Sequence, residues 1–256
     1  MPAALARDVQ FVAYVQRLGD NALVLGQRLS EWTGHAPIVE EDLALTNVAL
    51  DLIGQARMWL AYAGEAEGAG RDEDRLAFFR TADEFRNVLL VELPNGDYGR
   101  TLLREFLFGT WHFALLDALR ASADGRLAGI AAKAVREVAY HVRRSGDWVV
   151  RLGDGTQESH ARMQSALDDL WPYTGELFAP DAIDAALADA GVGVDPATLR
   201  APWRAHVERV LAEATLTVPA DGPMHSGGKS GRHTEHLSYL LAVMQSVRRS
   251  VPGDRW

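Results

Sequence analysis

Residues 40–63 read EEDLALTNVALDLIGQARMWLAYA, and this stretch decides the fold. Leu43, Leu45, Val48, Leu50, Leu52, Ile53, Met58, Trp59 and Leu60 cannot share one stripe of a helix, so the helix is apolar nearly all round. Such a helix belongs in the middle of a structure, surrounded by others. Its acids come first, at Glu40, Glu41 and Asp42, where the helix dipole favours negative charge. Asn47, Asp51 and Gln55 follow at i, i+4 and i+8 and form one polar row on this apolar body.

Outward from this helix, helical periodicity dominates and strand alternation is scarce. Residues 9–18 and 21–32 read as two short helices separated by Gly19 and Asp20, and His35-Ala-Pro37 breaks the chain. Residues 72–91 read as a helical stretch, interrupted, if anywhere, near Thr81; Pro94-Asn-Gly96 ends it. Residues 100–121 and 127–151 are the third and fourth long helices. Thr156 is a cap for a helix to about Tyr173. Shorter helices are expected at 180–190, 196–216 and 234–249, the last after a glycine-rich segment, 222–231. The expected fold is all-α, a ferritin-like four-helix bundle with accessory helices, in a single domain over 1–256.

Composition narrows the function. The chain has 256 residues, 48% hydrophobic, enough for a sizeable core. A net charge of −9 disfavours nucleic acid as a partner. No cysteine is present, which removes disulfides, thiolate metal sites and iron–sulfur clusters from this chain. No stretch of about 18 residues is free of charge, so no membrane-spanning helix is expected. Met1 to Asp8 lacks a basic start and an apolar run, so no signal peptide is expected and the cytoplasm is the expected location.

The polar row of residues 40–63 has counterparts. The fourth helix carries Lys133, Glu137 and His141 at the same spacing; the third offers Glu105, Gly109 and His112; the second offers Glu84 and Asn87. Buried charge is costly unless paired or coordinated. Four helices that each bring a carboxylate therefore point to a polar centre. Di-iron carboxylate proteins build theirs from a Glu on one helix and Glu-x-x-His on the next, twice over. Here the first half reads Glu84-Phe-Arg-Asn87, and asparagine is a poor iron ligand beside imidazole. In the second half Glu137 and His141 are four apart rather than three, and Lys133 shares their row, where an ammonium supplies the charge a metal would bring. The preferred reading is a degenerate site of hydrogen bonds and ion pairs formed by Asp51, Glu84, Asn87, Glu105, Lys133, Glu137 and His141, with no metal. A working di-iron centre is the alternative.

Seven motifs then carry a resemblance: RLGDN at 17–21, LGQRL at 25–29, EWTGHAP at 31–37, LDLIGQAR at 50–57, VELPNG at 91–96, RLGDG at 151–155 and GGKSGRHTEHL at 227–237. In order and from about Tyr14 to Trp256, the chain resembles the C-subunit family of bacterial phenylacetyl-CoA epoxidase complexes. The resemblance implies a role in a multicomponent oxygenase of aerobic phenylacetate breakdown, which makes an epoxide of the aromatic ring of phenylacetyl-CoA. It implies a di-iron centre in a sister chain, the catalytic A-type subunit, with flavin, an iron–sulfur cluster and NADPH in a reductase. This chain would hold no cofactor and would be a non-catalytic structural subunit. Its partners would be the di-iron sister, the other epoxidase subunits and, in one reading, phenylacetyl-CoA.

That reading places the CoA ligand against Glu84, Phe85, Arg86 and Asn87, with Ala185, Ala186 and Leu187 beside the same cavity. Glu84 and Glu105 exceed what a dead site needs, which keeps residual metal binding open. His233 and His236 are read as packing or partner-facing rather than metal ligands, and 227–229 as a loop docking on the sister chain rather than a phosphate loop. Trp32, Trp148, Trp171, Tyr173 and Trp203 are read as interface aromatics. Two other function classes stay open: an independent di-iron oxygenase or oxidase, and a ferritin-like scaffold unrelated to CoA substrates.

Overall fold

The computed structural model describes residues 9–251, among which there is no strand. The expectations for Met1 to Asp8 and for the last residues of the resemblance lie outside them. The chain divides into two compact units, Met1–Pro94 with Gly227–Trp256, and Asn95–Ser226.

The first unit is built on α1 (Val9–Ser30) and α2 (Val39–Glu67). Gly19 and Asp20 do not separate a pair of short helices; α1 runs through them. Glycine is there for closeness rather than for a break. A Cβ on Gly19 would stand 2.8 Å from Leu60 Cδ2, and one on Gly26 3.2 Å from the Ala49 carbonyl oxygen. As the α1 position rises, the α2 position falls, so the pair is antiparallel. A larger residue at Gly26 must push the helices apart. Gly26→Leu is expected to cost about 1–3 kcal/mol, the usual range for overpacking, and urea unfolding with an unchanged slope would measure it.

The stretch 72–91 departs from its expected helix. It holds α3 (Glu73–Phe78), a 3₁₀ turn at Ala82–Glu84 and α4 (Leu89–Glu92). The reason lies on α1. The Arg86 amide donates to Asp20 Oδ2 at 2.9 Å and the Val88 amide to Asn21 Oδ1 at 2.8 Å. Side chains of α1 thus take the amides that a continued helix would bond internally, and the backbone at Phe85 and Val88 is extended. Asp20 also forms a buried ion pair with Arg80. Two short helices near the C-terminus, here numbered α10 (Glu235–Met244) and α11 (Ser246–Ser250), complete this unit. Gln245 fastens them by donating to the carbonyls of Ala77 and Arg80, each at 3.1 Å.

The second unit is built on α5 (Tyr98–Leu119) and α6 (Gly125–Gly153), followed by α7 (Gln157–Leu170), α8 (Ala182–Asp189) and α9 (Arg200–Glu213). Gly109 faces Val142 and Gly146 faces Phe106, so α5 and α6 are antiparallel too. Asp97, Asp124, Thr156 and Asp181 cap their helices with side-chain oxygens. Trp171 and Trp203, expected at an interface, are instead core residues. Their rings stand 5.7 Å apart, and the Trp203 indole donates to the Leu107 carbonyl at 2.9 Å. Trp32, Trp148 and Tyr173 are half-buried. Aromatic rings carry the largest apolar area per residue, and α5 supplies a buried face for them.

Candidate functional site

In the second unit the expected row on α6 splits. Lys133 is exposed, Glu137 half-buried and His141 buried. The buried face of α6 runs through Leu127, Ala131, Ala134, Val138, Ser145 and Val149. At 3.6 residues per turn, Lys133 stands about 140° round from Val138. The expectation that Lys133 lies in a buried network is therefore corrected. The buried cation is Arg144, which the spacing of the row did not single out. Its Nη1 is 3.4 Å from Glu105 Oε2, and its Nη2 is 3.4 Å from the Tyr98 hydroxyl. The side chains of Arg144 and Glu105 are 7% and 2% exposed. Two turns further along α5 His112 is buried, and burial together with the nearby His141 lowers its pKa from 6.5 to about 3. His112 is thus a neutral imidazole at neutral pH, packed on Phe108 with ring centres 5.2 Å apart.

The first unit holds a second buried cluster, centred on Glu92, which has no exposed surface. Its Oε2 accepts from Asn87 Nδ2 at 2.8 Å and lies 2.7 Å from His233 Nδ1. Its Oε1 accepts from the Thr234 amide at 2.6 Å and the Thr234 hydroxyl at 2.8 Å. The other ring nitrogen of His233 is 3.0 Å from the Phe85 carbonyl oxygen. Both ring nitrogens face oxygen acceptors, which only the doubly protonated ring satisfies. Burial of the ring opposes its charge, but the hydrogen bond and charge of Glu92 and the Phe85 carbonyl outweigh it, and the His233 pKa is raised. Arg28 clamps the same turn through the Glu92 carbonyl, at 3.1 Å from Nε and 2.8 Å from Nη2.

The GGKSG segment closes over this cluster. A Cβ on Gly228 would stand 2.1 Å from the Asn87 carbonyl oxygen, and Gly231 has φ +80°. The 227–231 arm thus packs on its own unit, and His233, read as packing or partner-facing, packs as the partner of Glu92.

Comparison with known proteins bears on what these clusters are for. Residues 3–256 match the family model described as phenylacetic acid catabolic protein. The chain belongs to that family. It is similar to the C-type subunit of 1,2-phenylacetyl-CoA epoxidase from Escherichia coli (strain K12), at 53% identity over 247 residues, 96% of this chain and 99% of the relative.

The remaining expected site residues find these places in the chain. Glu84 is corrected: it is exposed and caps Thr81, accepting from its amide at 2.8 Å and its hydroxyl at 3.0 Å. Helix α3 ends at Phe78 and the backbone is extended again at Phe85, so Glu84 and Asn87 share no helical face. Asp51 is half-buried on α2, Asn47 exposed and Gln55 buried. Phe85 is buried, and the Arg86 guanidinium donates to the Phe85 carbonyl at 2.7 Å. In the other unit, on α8, Ala185 is exposed, Ala186 half-buried and Leu187 buried. The Leu187 carbonyl accepts from the amides of Val192 and Gly193, at 2.9 and 2.8 Å.

A di-iron centre does not fit these residues. Glu105 faces a guanidinium, Asn87 is committed to Glu92, and Lys133 and Glu84 point outward. Among the described residues no three carboxylate or imidazole side chains converge where an ion would sit. Nor is any described helix long and apolar enough to cross a membrane. The motifs VELPNG and RLGDN are visible in the sequence, yet nothing local marks Glu92, Asp20 and Asn21 inside them as buried groups.

Proposed function

We propose that the chain is a non-catalytic structural subunit of a multicomponent phenylacetyl-CoA epoxidase of the cytoplasm, folded as a ferritin-like bundle and supporting a di-iron sister chain. The observation that carries this reading is the 53% identity with a C-type epoxidase subunit, across nearly the full length of both chains. Two features of the molecule support it. The Glu105–Arg144 pair has a guanidinium where a metal would bring charge. Tyr239, Val243 and Val247 recur at i, i+4 and i+8 and are exposed, an apolar stripe of the kind that a partner covers in an assembly. In this reading the chain holds no cofactor; iron belongs to the sister, and flavin, iron–sulfur cluster and NADPH to the reductase.

Metal analysis of the chain purified from iron-replete cells is expected to give far less than one iron per chain. About two irons per chain would promote the independent di-iron oxygenase instead. Coexpression with the sister chain is expected to give a stable complex that turns over phenylacetyl-CoA when reductase is added. A sister equally soluble and active alone would remove the supporting role.

A further inference from the structure

Helices α5, α6 and α9 of the second unit form a cleft with two compartments. The first is a cavity of about 470 Å³, lined by Phe113, Ala114, Ala118, Leu199, Pro202 and Trp203. The second, of about 590 Å³, is lined by Arg143, Arg151 and Arg209, with Asp147 and Glu213. Ala139, Val142 and His206 line both, so the two adjoin.

The first compartment is apolar for local reasons. Ala114 and Ala118 stand one turn apart on α5, and their short side chains leave room where a larger residue would fill it. Trp203, 2% exposed, is held as a wall by its indole bond to Leu107. The polar groups here are already engaged. The Thr110 hydroxyl donates to the Phe106 carbonyl at 2.8 Å, and Asp117 pairs with Arg120 at 2.6 Å. From Leu199 to His206 the compartment follows about 10 Å of helix. An apolar wall with a few polar groups at one end is the make-up of a small-molecule site.

His206 stands where the compartments meet. Arg209 Nη2 is 3.4 Å from its Nδ1. A guanidinium only donates, so Nδ1 accepts and the proton of the neutral ring sits on Nε2. Burial, then the charge of Arg209, lowers the His206 pKa, so the ring is neutral at neutral pH. Among the described residues Nε2–H meets no acceptor. Arg143, one turn beyond Ala139, makes no ion pair among the described residues; its guanidinium lies 5.8 Å from the centre of the Tyr140 ring. The acids sit further out. Glu213 is 3.6 Å from Arg209 Nη1, and Asp147 is a further turn along α6 from Arg143. Three arginines against two carboxylates leave this end cationic in a chain of net charge −9. A carboxylate on an apolar body suits both ends: its oxygens accept from Nε2–H and from guanidinium donors, and its hydrocarbon covers the apolar wall.

We propose that the cleft between α5, α6 and α9 binds a small apolar monocarboxylate, with its hydrocarbon against Trp203, Ala114 and Ala118 and its carboxylate between His206, Arg209 and Arg143. The site does not depend on the epoxidase reading.

Calorimetric titration of the purified full chain with octanoate, at pH 7 and low salt, tests it. One octanoate per chain is expected, with a dissociation constant of about 100 µM or below. 1-Octanol, which keeps the chain and lacks the charge, should bind at least about tenfold more weakly, and added salt should weaken octanoate. Ala118→Phe, which fills the apolar compartment, should weaken octanoate at least about tenfold, with helical circular dichroism unchanged. Arg143→Glu lies on the exposed side of α6, should weaken it by as much, and serves if Ala118→Phe misfolds. No binding at about 5 mM octanoate would overturn the site. Equal binding of 1-octanol would overturn the carboxylate, and binding indifferent to both variants would place octanoate elsewhere and overturn the cleft. A chain that ignores octanoate, yet loses capture of a coexpressed sister on Ala118→Phe, would assign the cleft to a protein partner and overturn the small-molecule site.

Discussion

Glu92→Leu is expected to destabilise the protein by roughly 3–5 kcal/mol, the range for removing one partner of a buried ion pair. The carboxylate has no exposed surface and collects Asn87, His233 and both donors of Thr234. Leucine would fill the space but leave a buried imidazolium and three further donors unmet. Urea unfolding at pH 6 would measure the loss; a change under about 1 kcal/mol would remove Glu92 as the centre of the cluster. The pair also sets a pH dependence. The folded-state pKa of His233 is raised, so the folded state binds the proton more tightly than the unfolded chain. That stability is complete below the ordinary histidine value of about 6.5 and is lost as pH rises through the raised value. His233→Gln should flatten this region of the stability–pH curve.

Arg144→Met is the second large effect, again roughly 3–5 kcal/mol, because it takes the guanidinium away from the buried Glu105 carboxylate, 2% exposed. Lys133→Met, on the exposed side of the same helix, should stay within about 0.5 kcal/mol of wild type. Thermal melts of the two variants side by side read the contrast. Equal losses would return Lys133 to the buried network; no loss from either would leave Glu105 held by other contacts. Adding Glu105→Leu to Arg144→Met should recover much of the stability, since an apolar pair of similar volume needs no charge partner.

The sequence by itself determined the helical class, the long helices 39–67, 98–119 and 125–153 to within a few residues, and the family. Hydrophobic periodicity is a local property, and the motifs are contiguous, so both can be read along one strand of text. It also marked each helix as carrying polar groups in apolar surroundings. Which of those groups are buried was decided only in three dimensions. Lys133 and Arg144 are both basic residues of α6, and the burial of one and exposure of the other depend on what packs over each. Residues 72–91 have helical spacing, yet Asp20 and Asn21, more than 60 positions earlier, capture the amides of Arg86 and Val88 and hold that backbone extended. Glu92 and His233 are 141 positions apart and become one buried pair only after the chain returns to its first unit. A local pattern contains no term for partners so distant, because closing such long loops is a property of the folded topology.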